Sequence, residues 1–212
     1  MYWNKYKKTS DRWTGVNARK GGNVSPIPAD HSQNLTGIWP KKVVNYKTVM
    51  SDAASGFTSV TYPFPVIRMA DLYLMYAEAL NEKGEDYATV LPWIDMVRER
   101  SGLQGVKESW DQYVGNSKYA TQTGLRQIIM QERRIELAFE GHYFWDVRRW
   151  KTATTELTLP LTGWKVRYGE TDVDYYSENL VLVRDFTPKM YFWPIDIGEL
   201  RKDPNLVQNY GW

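Results

Sequence analysis

From Pro63 onward the apolar residues fall at intervals of three and four, stop at a glycine, and resume with the same period. No other feature constrains the fold as tightly, because this pattern commits the segment to two packed amphipathic helices. Leu72, Met75, Tyr76, Ala79 and Leu80 make the first stripe, with Asp71 placed as its N-cap and Gly84 as its left-handed stop. Val90, Trp93, Ile94 and Val97 make the second stripe, from about Thr89 to Gly102, and Pro92 comes early enough to be tolerated. Joined by a short turn, two such helices form an antiparallel hairpin. Ala77 and Ala79 permit close approach and Trp93 supplies a large knob.

The spacing of Tyr73, Gly84 and Trp93 approximates a tetratricopeptide unit, without that repeat's terminal proline. A single unit cannot bury its apolar face alone. Either the rest of the chain covers that face, or the chain is a fragment. A third helix is expected from about Thr123 to Glu140, burying Leu125, Ile128, Ile129, Ile135 and Phe139, with Gly141 as its breaker. His142 to Trp150 reads as a short fourth helix. Trp164–Tyr168 and Leu180–Val183 are the best strand candidates in the remainder. Residues 1–62 carry turn signals, Gly21-Gly22-Asn23 and Ser25-Pro26-Ile27-Pro28, and no helical stripe. The expected organisation is an irregular, β-containing region over 1–62 and a helical region over 63–212.

Composition closes several function classes. A net charge of +2 on 212 residues supplies no field that would select nucleic acid or anionic lipid. Six basic residues interleave with Tyr2, Trp3, Tyr6 and Trp13 before residue 21, a pattern shared by single-strand nucleic-acid grooves and solvated strand edges. The near-neutral total favours the strand edge. No cysteine is present, which removes disulfides and thiolate metal sites. The first residues lack a signal-peptide core, and no run reaches the apolar length a membrane helix needs. Any export signal or lipid anchor is therefore expected upstream. Ten Trp and fifteen Tyr exceed what a core of this size uses, so some rings should face solvent.

Glu132, Glu136 and Glu140 invite a two-carboxylate hydrolase reading. They stand among Arg133, Arg134, Arg148 and Arg149, which favours ion-paired helix packing over a raised general acid. No catalytic residue is assigned. His142 and Asp146 are one helical turn apart, but with His31 as the second histidine of the chain no metal site is assigned either.

Four collinear segments carry a resemblance. They are Pro65-Val66-Ile67-Arg68-Met69-Ala70-Asp71-Leu72-Tyr73-Leu74-Met75-Tyr76-Ala77-Glu78-Ala79-Leu80-Asn81-Glu82 and Ile94-Asp95-Met96-Val97-Arg98-Glu99-Arg100-Ser101-Gly102-Leu103. Then come Glu132-Arg133-Arg134-Ile135-Glu136-Leu137-Ala138-Phe139-Glu140-Gly141-His142 with Asp146-Val147-Arg148-Arg149-Trp150. The last is Asp203-Pro204-Asn205-Leu206 with Gln208-Asn209-Tyr210-Gly211-Trp212. In this order they resemble the SusD/RagB family over roughly the last 150 residues. Tyr143 stands where that pattern commonly has Arg, and Ile94-Asp95 replaces the more usual Leu-Asn.

The resemblance implies a mainly α fold of tetratricopeptide-like hairpins with a loop-rich, partly β region packed on them. It implies a non-catalytic, lipid-anchored protein exposed on the outer membrane of Bacteroidetes-type bacteria. Such a protein holds oligosaccharides as the partner of a SusC-like, TonB-dependent porin, without a cofactor. The family's export signal and anchor cysteine have no counterpart here, so a carboxy-terminal part is implied. Within that expectation, Trp13 with Arg12 and Asn17, and Trp39 with Asn34, pair a flat ring with hydroxyl-binding polar groups. Trp3, Trp110 and Trp164 also fall in segments read as loop or strand, whereas Trp93, Trp145, Trp150 and Trp193 are expected in the core. A helical scaffold that binds peptide, and a carbohydrate-active enzyme, remain the alternative readings.

Overall fold

The computed structural model describes residues 6–9, 12–14, 40, 42, 45, 47–50, 57–165 and 171–212, the earliest strands by backbone alone. Contacts divide the chain into two units, Pro63–Asp146 and Met1–Tyr62 with Val147–Trp212. The fold is mainly α, with short two-stranded antiparallel ladders.

In the first unit, α1 (Met69–Lys83) and α2 (Tyr87–Arg100) form the expected hairpin. Gly84 turns it at φ 89°, a conformation that a side chain would strain. The Asp86 side chain caps α2 by accepting from Ala88 N at 2.8 Å. α3 (Val106–Tyr113) follows, a helix the sequence reading did not anticipate. It is short, and its start depends on a distant group: Asp95 on α2 accepts from Val106 N at 2.7 Å. α4 (Gln122–Glu136) begins at Thr121, whose hydroxyl accepts from Gly124 N at 3.1 Å. A Cβ on Gly124 would lie 2.1 Å from the Lys118 carbonyl oxygen, so only glycine lets the preceding turn close there.

α4 runs antiparallel to α1. Asn81 and Gln122 exchange side-chain bonds to each other's carbonyls at one end, at 3.1 and 2.7 Å. Asp71 and Arg133 meet at the other end. Leu74, Ala77, Val90, Ile94, Val97, Leu125, Ile128 and Ile129 fill the space between α1, α2 and α4. Each large aliphatic side chain there contributes about 1.5–3 kcal/mol.

Three expectations need correction. The buried face of α1 is Ala70, Leu74, Ala77 and Asn81; of the stripe read from sequence, Leu72, Met75, Tyr76 and Ala79 are exposed. Both sides of the helix are apolar, so periodicity alone selected the bulkier one. Asp71 is no cap, because Arg68 occupies the N-cap position and Asp71 is buried in the first turn. α4 ends at Glu136, and Ile135 and Phe139 face solvent while Arg133 takes the buried position. Phe139 sits at φ 65°, which helical geometry does not allow.

α5 (His142–Arg149) carries the fourth predicted helix across the boundary between the units. In the second unit, β1 (Tyr6–Thr9) pairs with β2 (Arg12–Thr14), and β3 (Val49–Met50) with β4 (Phe57–Thr58). Later come α6 (Ala153–Glu156), β5 (Leu161–Trp164), α7 (Asp172–Tyr175), β6 (Glu178–Leu182) and α8 (Ile197–Lys202). β5 and β6 pair with Thr162 opposite Leu180 and Trp164 opposite Glu178. Residues 166–168 of the expected strand lie outside the described residues.

Candidate functional site

The acidic run that suggested chemistry is consumed by arginines. Arg68, at the start of α1, donates to Glu140 from Nε at 2.7 Å and from Nη2 at 2.9 Å, and to Glu136 from Nη1 at 2.7 Å. Arg100 also donates to Glu136, at 2.8 Å to each oxygen. Glu132 pairs with Arg98. The expectation that the arginines suppress any rise in carboxyl pKa needs adjusting at Glu132. Burial pushes it above the ordinary glutamate range and Arg98 only partly opposes this. A raised carboxyl whose oxygen is already bonded to a guanidinium is a packing feature.

Beneath this run lies a buried triad. Arg133, almost fully buried, donates to Asp71 at 2.8 Å and to both oxygens of Asp146 at 3.0 and 3.1 Å. Asp146 is thereby committed to an arginine, and His142 Nδ1 lies 4.0 Å from Asp71 Oδ2. Among the described residues no group of His, Asp and Glu is arranged to hold a metal ion.

Of the expected ligand residues, Arg12 and Trp13 lie on β2, opposite Thr9 and Lys8. Asn17, Asn34 and Trp39 lie outside the described residues, as does Trp3. Trp110 belongs to the scaffold: it packs on the core of the first unit, with the Lys118 ammonium 5.5 Å from its ring. Trp93 also packs there as expected. Trp145 and Trp193 do not, being 60% and 66% exposed. Trp145 is on the outer side of α5, edge-on to Phe144 at 5.0 Å. Trp193 precedes a turn that the carboxy-terminal segment grips: Gln208 bonds both backbone groups of Ile195, and Asn209 donates to the Trp193 carbonyl. The Gln208-Asn209 motif is thus a clasp, and Trp212 completes it by donating to the Lys189 and Phe192 carbonyls.

Trp164 stands in a second cluster of aromatic and ionic groups. It is exposed at the end of β5 and meets the exposed Tyr176 ring at 5.5 Å and 83°, forming a right-angled aromatic corner. Glu178, directly opposite in the ladder, shares its face of the hairpin. Lys165 and Asp174 pair at 2.9 Å beside it, and the Lys165 amide donates to the Tyr175 carbonyl. Flat apolar rings beside ionic groups match the two kinds of surface a pyranose presents, C–H faces and hydroxyl edges. Sequence placed Trp164 among the rings of loop or strand segments without selecting it as a ligand residue. Tyr176 and Glu178 were missed, since only the hairpin register brings them to it.

No helix of the described residues is long and apolar enough to cross a membrane. The chain is similar to SusD-like protein P2 of Formosa agariphila, 37% identical over 133 residues, which is 62% of this chain and 26% of that protein. Among solved structures it resembles BT4246, with a TM-score of 0.77 and 25% identity over 92% of this chain and 32% of that one. It also resembles a SusD-like carbohydrate binding protein of Bacteroides fragilis, 31% identical over 70% of this chain and 29% of that one, with a TM-score of 0.56. The chain therefore spans about a quarter to a third of the length of these relatives. The SusD family profile matches residues 1–212, from end to end, and the chain belongs to the SusD family.

Proposed function

We propose that the full-length protein is a non-catalytic oligosaccharide receptor, held at the outer membrane surface by a lipid anchor and partnered with a SusC-like, TonB-dependent porin. The family match across residues 1–212 carries this reading, supported by a relative described as carbohydrate binding. The carboxylates of the acidic run support the absence of catalysis, since Glu132, Glu136 and Glu140 are each bonded to arginine. Within this chain the Trp164–Tyr176 corner is the sugar platform, with Glu178 accepting from hydroxyls. Trp13 with Arg12 and Asn17, and Trp39 with Asn34, are further platforms on the same chemical grounds.

Calorimetric titration of the full-length protein against maltohexaose, cellohexaose, laminarihexaose and xylohexaose tests the reading. At least one should bind without release of reducing sugar. Trp164→Ala should weaken that binding about tenfold, corresponding to roughly 1.4 kcal/mol of lost stacking. Silence from the whole panel sinks the receptor; unaltered affinity in Trp164→Ala sinks only the assigned platform.

A further inference from the structure

The β5–β6 hairpin and the α7 turn bring two kinds of group to one small surface. The rings of Trp164 and Tyr176 meet at 83° with their centroids 5.5 Å apart. A group seated in the angle between them meets a π face of each ring. Those faces carry the negative part of the aromatic quadrupole and attract cations. Glu178 is exposed and stands opposite Trp164 in the ladder. Cross-strand partners of this kind hold their Cβ atoms about 4.5–5.5 Å apart on one face of the sheet.

Charge at the corner is one-sided. Residues 172–178 hold three carboxylates, Asp172, Asp174 and Glu178, and no basic side chain. Lys165, next to Trp164 in the chain, lies 2.9 Å from Asp174 and so neutralises that group rather than Glu178. Among the described residues Glu178 has no ion-pair partner. The helical unit behaves otherwise, for Glu132, Glu136 and Glu140 each meet an arginine. An uncompensated carboxylate beside two π faces repels a sugar that carries a carboxylate or sulfate. A sugar that carries an ammonium is attracted by the rings and the acid together, through cation–π contact and a charge-assisted hydrogen bond. A neutral sugar gains neither.

We propose that the Trp164–Tyr176 corner selects amine-bearing sugars: a hexosamine unit sits in the angle, its protonated amine between the ring faces and the Glu178 carboxylate. This selectivity rests on the corner being the sugar platform, and gives that platform its ligand class.

Three β-1,4-linked hexamers that differ only at the second carbon provide the test: chitosan hexaose with an amine, chitin hexaose with an acetamide, and cellohexaose with a hydroxyl. The full-length protein is titrated calorimetrically with each, below neutral pH, where the amine is protonated. The amine hexamer should bind about tenfold more tightly than either of the others. Added salt should shrink that advantage. Glu178→Gln keeps an acceptor and removes the charge, so it should cut the advantage to about twofold or less. Equal affinity for the three hexamers, or an advantage that survives Glu178→Gln, overturns the amine selection. Failure of all three to bind also overturns it; if Trp164→Ala then still weakens binding of another glycan, the platform stands without the selection. An amine advantage indifferent to Trp164→Ala removes platform and selection together.

Discussion

The Pro63–Asp146 unit and the stretch from Val147 to Trp212 solve the same problem differently. The first has a continuous aliphatic core between three helices, with its one buried arginine bonded to two aspartates. The second buries little beyond Val147, Ala153, Tyr175 and Phe186 among its described residues, and holds its shape through turns and clasps. It also buries the hydroxyls of Thr152, Thr187 and Tyr191 without a hydrogen-bond partner, and no such hydroxyl occurs among the described residues of the first unit. An unmade bond of this kind costs about 1–3 kcal/mol. The lesson is one of division of labour: the helical unit leaves no buried side-chain donor or acceptor without a partner, while the later stretch spends polar and aromatic groups on surfaces.

The same substitution in each region puts that difference to its hardest test. Arg133→Met leaves Asp71 and Asp146 buried without their shared cation, and should cost about 3–5 kcal/mol. Arg184→Met removes bonds to the carbonyls of Glu156 and Leu159, near the surface, and should cost about 1 kcal/mol. Urea denaturation of the two variants measures both. Equal losses would erase the distinction between the regions.

A smaller effect of opposite sign is expected at Tyr191. Its ring packs edge-on to Phe186 at 5.1 Å, while its hydroxyl is buried and unbonded. Tyr191→Phe keeps the ring and removes the orphan, so stability should be unchanged or rise by up to about 1 kcal/mol. A clear loss would mean that the hydroxyl has found a partner, and that the stretch is as well satisfied as the helical unit.

The two regions were also unequally legible. α2 announced itself through Val90, Ile94 and Val97, which are buried as the period requires. The outcome differed on α1, where two apolar sides compete and the pattern favours bulk over the small Ala70 and Ala77 that the interior accepts. α3 escaped notice because a side chain eleven residues earlier starts it. The aromatic corner was half legible: Trp164 stands out by residue type, but Tyr176 reaches it only through the β5–β6 register and the α7 turn. Long-range pairing of short strands leaves no periodic trace in sequence. Trp145 and Trp193 were misplaced because size was taken for burial, and both lie on outward faces.

The finest distinction is electrostatic and lies inside the satisfied unit. Burial raises the Glu132 carboxyl above the ordinary glutamate range, Arg98 pulls it down, and Asp95 and Glu136 push it up further. Asp95 is raised chiefly by burial too, against the pull of the Val106 amide. An acid raised on folding holds its proton more tightly in the folded chain than in the unfolded one. Its favourable contribution is therefore complete below the unfolded value and is lost as pH climbs through the folded one. As pH rises above the ordinary glutamate range, then, wild-type protein should lose stability relative to Glu132→Gln. The variant keeps an acceptor for Arg98 and removes the titration, so the difference between the two urea profiles isolates this carboxyl. Parallel profiles would mean that Arg98 fully offsets the burial, leaving the helical unit electrostatically as well as sterically relaxed.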